Sequence, residues 1–77
     1  MVGLTLRDGK AGMVLRVKHV ADSDLKQRLM AMGMIPGTQI KVLRSAPFGD
    51  PMAVRIRSYN LALRREDATM VEVQKIS

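Results

Sequence analysis

Few residues in this chain can do chemistry. His19 is the sole histidine, and Asp22 and Asp24 follow it closely. Divalent cations of hard or borderline character take imidazole and carboxylate ligands at close range, which makes His19, Asp22 and Asp24 the weak candidates for a metal site. The plainer reading is a surface histidine beside a helix start, so no metal and no cofactor are expected. The seven methionines do not alter this, because thioether sulfur favours softer ions. Met30, Met32 and Met34 read better as packing or contact side chains. No Cys–His or Ser–His–Asp set can be assembled, and no Gly-x-x-x-x-Gly-Lys-Ser/Thr loop is present to hold phosphates. Carboxylates fall at turns and helix starts, where capping explains them. Catalysis is not expected.

The cations form the second group. Lys and Arg total 13 against 7 acidic residues, for a net charge of +6 and a pI near 10.6. Such a balance attracts anionic partners without choosing among them. Arg16, Lys18, Lys41, Arg55 and Arg57 alternate with aliphatic residues and so point outward, either as a solvated exterior or as an anion-facing patch. Binding of single-stranded nucleic acid usually adds aromatic stacking platforms. Only Phe48 and Tyr59 are aromatic, so no nucleic-acid partner is expected.

These residues must be positioned by a small set of elements. Leu15 and Val17 alternate with Arg16 and Lys18, which predicts a strand over about 13–19 after the Asp8-Gly9 turn. Leu25, Leu29 and Met32 recur at helical spacing. Asp22 or Ser23 is placed to cap this helix and Gly33 to end it, about three turns in all. After the Pro36-Gly37 turn, strands are expected over about 38–45 and 52–58. A tight turn at Ser58-Tyr59-Asn60 then leads to a short strand at Leu61–Leu63. Arg65–Ala68 reads as a turn or one 3₁₀ turn, before a last strand over about 69–76. The prolines of Ala46–Pro51 stiffen a loop. The fold class is therefore mainly β: a small barrel of about five strands with one amphipathic helix inserted between the first two, occupying 1–77 as a single domain. With no cysteine, aliphatic packing alone must hold it. No apolar run nears the roughly 20 residues of a membrane span, and no basic-then-apolar leader is visible. A cytoplasmic location without direct membrane insertion is expected.

One combination of motifs is specific. Gly9-x-x-Gly12-x-Val14 leads to Leu25-x-x-Arg28-Leu29-x-x-Met32-Gly33-Met34-x-Pro36-Gly37. Ala46-Pro47-x-Gly49-Asp50-Pro51 follows, then Leu61-Ala62-Leu63-Arg64. Over nearly the whole chain this resembles the FeoA family of bacterial ferrous-iron uptake, and the SH3-like C-terminal module of iron-dependent repressors. The resemblance implies an SH3-like barrel. It also implies a helper role for a membrane ferrous iron transporter with a cytosolic GTP-binding domain. On that reading Arg28, Met32 and Met34 form a partner-facing surface with the Pro47–Pro51 loop, in which Pro47, Phe48 and Asp50 are the contact candidates and Phe48 is exposed at the tip. Arg55 and Arg57 join them as anion-facing cations, and an arginine acting on the partner's GTP is conceivable. An exposed strand edge or the Met-rich patch offers a route to a homo-oligomer. The rival readings are a nucleic-acid-binding barrel, betrayed by steep salt dependence, and a metal-sensing regulatory module built on His19 and its neighbouring carboxylates.

Overall fold

Strand formation follows the alternation of aliphatic and polar residues closely. The computed structural model describes residues 3–45 and 51–77. Among these, β1 (Leu4–Thr5) runs into a 3₁₀ turn (Leu6–Asp8), followed by β2 (Val14–Val20), α1 (Lys26–Ala31), β3 (Gln39–Arg44), β4 (Met52–Ile56), β5 (Tyr59–Leu63), α2 (Arg65–Ala68) and β6 (Val71–Lys75). The six strands form one antiparallel sheet in the order β1-β6-β2-β3-β4-β5. The architecture is mainly β. The strand beyond the expected five is β1, whose two residues pair Leu4 with Val73 and Thr5 with Glu72. No periodic pattern can reveal an element that short.

Inward positions of the sheet supply the core. Leu15, Val17 and Val20 of β2 meet Ile40 and Val42 of β3, Val54 and Ile56 of β4, and Val71 and Val73 of β6. Leu6, Leu29 and Ala68 close this cluster from the helical segments. No polar or charged residue is buried among the described residues. Burial of aliphatic area, at about 25 cal/mol per Å², is then the main stabilising term.

Three local details depart from the sequence expectations. Helix α1 spans 6 residues instead of three turns. Asp22 does not cap it; its carboxylate instead accepts from Lys26 Nζ at 2.9 Å. Ser23 Oγ accepts the Leu25 N–H at 3.2 Å, a local turn that holds the chain out of the helix until Lys26. Second, α2 is a short α-helix, not a 3₁₀ turn. Third, Gly9 of the expected Asp8-Gly9 turn does not use the left-handed region through which glycine favours such turns, since its φ is −69°. It is required by proximity: a Cβ there would lie 2.8 Å from Val42 Cγ2 and 3.1 Å from Leu15 Cδ1.

Candidate docking site

The end of α1 builds one wall of the site. Gly33, with φ +105°, turns the chain back on itself. Its N–H donates to the Met30 carbonyl and that of Met34 to the Leu29 carbonyl, both at 3.0 Å. This is a Schellman closure, in which the residue after the glycine packs against the helix. Met34 is accordingly fully buried, at 0% exposure. Its expected place on the partner-facing surface is corrected: it is a core residue. The next four residues make a tight turn, with the Thr38 N–H donating to the Ile35 carbonyl at 2.9 Å. Pro36 and Gly37 occupy its central positions, and the φ of +97° at Gly37 is what a type II turn demands. Two further bonds pin the turn to β2: the Gly37 N–H to the Val17 carbonyl at 2.8 Å and the Val17 N–H to the Thr38 carbonyl at 2.9 Å. Ile35 is left 43% exposed on this rigid support.

The opposite wall comes from the β4–β5 hairpin. Ile56 pairs with Tyr59, so the loop is Arg57-Ser58, and β4 ends before Arg57 instead of running on to Ser58. Arg57 takes φ +56°, the left-handed region that only Gly and Asn visit cheaply. Between the walls, Lys41 of β3 lies directly opposite Arg55 of β4. The resulting groove, 740 Å³ in volume, is lined by Ile35, Pro36, Lys41, Arg55 and Arg57 among others, and no acidic residue among the described ones lines it. Among the described residues, Lys41, Arg55 and Arg57 make no ion pair. Like charges facing each other across a ladder destabilise it. An apolar ledge beside three uncompensated cations can bind an anionic, partly apolar surface.

The other expected site residues fall elsewhere. Arg28 is exposed on α1 and does not line the groove. Met32 is half-buried, and its carbonyl accepts the Tyr59 hydroxyl, which ties the helix end to β5. Pro47, Phe48, Gly49 and Asp50 lie outside the described residues. His19 is exposed on β2, with Glu72 as its Cα partner on β6. Asp22 is engaged by Lys26, whose hydrogen bond and charge hold its carboxyl below the usual 3.8. Among the described residues, no three His, Asp or Glu side chains are grouped to hold a metal ion. Sequence reasoning placed Lys41 with Arg55 and Arg57 among the outward cations but missed Ile35 and Pro36 as their apolar companions. The available signal was a hydrophobic residue stranded between a helix-ending glycine and a Pro-Gly turn.

Residues 4–75 match the FeoA domain family. The chain belongs to the FeoA family. A fusion protein of Fe(2+) transport protein A and the Fe(2+) transporter FeoB from Porphyromonas gingivalis is 39% identical over 72 residues, which cover 94% of this chain. The chain spans 8% of the length of that relative. Among solved structures, a FeoA-like protein from Clostridium acetobutylicum superposes with a TM-score of 0.89 at 31% identity, covering 100% of this chain and 91% of that one. The zinc complex of FeoA from Stenotrophomonas maltophilia, described as a prokaryotic SH3-domain protein, gives 0.84 at 25% identity over 94% of this chain and 91% of that one. A manganese-dependent transcriptional repressor, 20% identical, shares the fold (TM-score 0.85, covering 94% of this chain and 40% of the repressor). The fold is thus the SH3-like type expected for a FeoA domain and for the repressor modules. In the Porphyromonas relative, Fe(2+) transport protein A and the transporter FeoB are joined in one polypeptide.

Proposed function

We propose that this FeoA domain is a cytoplasmic adaptor of ferrous iron uptake, acting by binding and not by catalysis. Its groove docks on the cytosolic GTP-binding region of the transporter. The observation that carries the reading is the covalent joining of the same domain to FeoB in a relative 39% identical. A tether of that kind raises the local concentration of one module at the other to about millimolar, so a weak interface suffices. The groove offers such an interface: Ile35 supplies apolar contact, and Lys41, Arg55 and Arg57 supply charge that steers an acidic surface into register. No described helix is long and apolar enough to cross a membrane, which fits attachment through a partner protein.

The test is a binding titration of the transporter's cytosolic region against the wild-type domain and an Arg55→Glu/Arg57→Glu double variant. Binding that weakens with added salt in the wild type, and is at least about tenfold weaker in the variant, is expected. Equal affinity of the two proteins would remove the groove from the interface. No binding by the wild type at millimolar concentration would remove the docking itself.

A further inference from the structure

The sheet has two edges, and they are built differently. At one, β1 is only two residues long, and the Thr5 N–H is engaged by Asp8 Oδ2 at 2.9 Å. At the other, β5 pairs with β4 along its whole length, from Ile56–Tyr59 to Met52–Leu63. Its outer side has no neighbouring strand among the described residues. Pairing in an antiparallel ladder alternates, so with Tyr59, Leu61 and Leu63 bonded to β4, the N–H and C=O groups of Asn60 and Ala62 face away from the sheet. No other backbone group among the described residues takes them up. Natural edges are ordinarily protected by charges, proline or a bulge. The segment Tyr59-Asn60-Leu61-Ala62-Leu63 has neither charge nor proline, and its pairing register is unbroken.

Charge identifies what such an edge accepts. Arg57 precedes β5 and Arg64 follows it. Arg55 is drawn across from β4, its Nε donating to Asn60 Oδ1 at 3.0 Å, and it makes no ion pair among the described residues. A second copy of this chain is a poor occupant: its own β5 brings no carboxylate and would set Arg55, Arg57 and Arg64 against their equivalents. An extended segment with alternating acidic and apolar residues fits instead. Its backbone would bond Asn60 and Ala62, its carboxylates would meet Arg55 and the flanking arginines, and its apolar residues would continue the row of Tyr59 and Leu61.

We propose that β5 is a strand-addition site that takes an extended, alternately acidic and apolar segment of a partner protein. This is β-augmentation, in which main-chain bonds give affinity and alternate side chains give selectivity. The site shares Arg55 and Arg57 with the groove, but its backbone donors and acceptors at Asn60 and Ala62 lie on β5, and its test does not depend on the transporter.

The probe is a synthetic peptide of alternating Val and Glu, with a Val/Lys peptide as its counterpart, titrated into the isotopically labelled domain and followed by amide spectra and hydrogen exchange. Expected results are selective shifts at Asn60 and Ala62 with exchange there slowed by about tenfold or more, and binding of the Lys peptide weaker by at least about tenfold. Ala62→Pro deletes an outward donor without touching the bonds to β4 and should abolish the effect. If that variant does not fold, Ala62→Glu serves, since it repels the acidic peptide. The proposal is overturned if the Glu peptide does not bind, if both peptides bind equally, if the shifts map away from β5, or if the Ala62 variants bind as wild type.

Discussion

Replacing Lys41 by Glu should make this domain more stable while weakening its docking. Lys41 and Arg55 are directly opposed on β3 and β4, both exposed, and neither has an ion-pair partner among the described residues. A directly opposed pair changes ladder stability by about 0.2–1 kcal/mol, favourably for opposite charges and unfavourably for like ones. Converting one into the other should therefore gain about 0.5–1.5 kcal/mol, and Lys41→Gln about half of that. In a domain of this size, each 1 kcal/mol raises the melting temperature by roughly 4–8 °C. Thermal and urea unfolding at low salt and at 1 M salt provide the assay. Because the Debye length shrinks to about 3 Å at 1 M, the stability gain should largely vanish there, and transporter binding measured in parallel should fall. A Lys41→Glu protein that is less stable than wild type at low salt, or whose gain survives 1 M salt, would refute the reasoning.

Three further outcomes test the packing and the helix start. Gly9→Ala forces a Cβ to within 2.8 Å of Val42 Cγ2 and should destabilise by about 1–3 kcal/mol in urea unfolding, as overpacked cores do. Met34→Ala should cost about 2–5 kcal/mol, whereas a surface methionine would cost almost nothing; urea unfolding decides between them. Asp22→Asn should lower stability at neutral pH by a small amount, because the pair with Lys26 is exposed. The Asp22 carboxyl is held below 3.8 in the folded state, so its contribution is present above that value and fades as the pH falls through the lowered one. Wild type and Asp22→Asn should therefore converge in acid, which a pH series of unfolding curves would show.

The strands were legible because each buries one face. In β2, β3, β4 and β6 the period of two is written largely in Val, Leu and Ile, and the pairing registers follow it except where they shift, between Val17 and His19 of β2 and between Val42 and Arg44 of β3. Where a single residue's backbone angle decides the geometry, the pattern misleads. Arg55 and Arg57 look like successive outward positions of one strand, yet Arg57 turns the hairpin at a positive φ that arginine does not advertise. Met34 looks like the third member of an exposed methionine patch, yet the reversal at Gly33 drives it inward. The partner-facing set inferred from sequence was split in the same way. Arg55 and Arg57 share the groove, whereas Arg28 stands apart on α1. Lys41 joined the groove because cross-strand register, which no single strand's sequence contains, put it opposite Arg55.

The antiparallel pairing of β1 with β6 has a consequence for how such a module can be carried. Leu4 sits beside Val73, and β6 runs on past it to Lys75 with Ser77 still bonded to Val14, so the polypeptide comes into the sheet and departs from it at the same end, a few residues apart along β6, at about 3.4 Å per residue. A unit wired this way presents both of its chain connections at one end of the sheet. It can be appended at a chain terminus or spliced into a host loop without prying the host apart, and it can swivel about that attachment until one of its faces finds a mate.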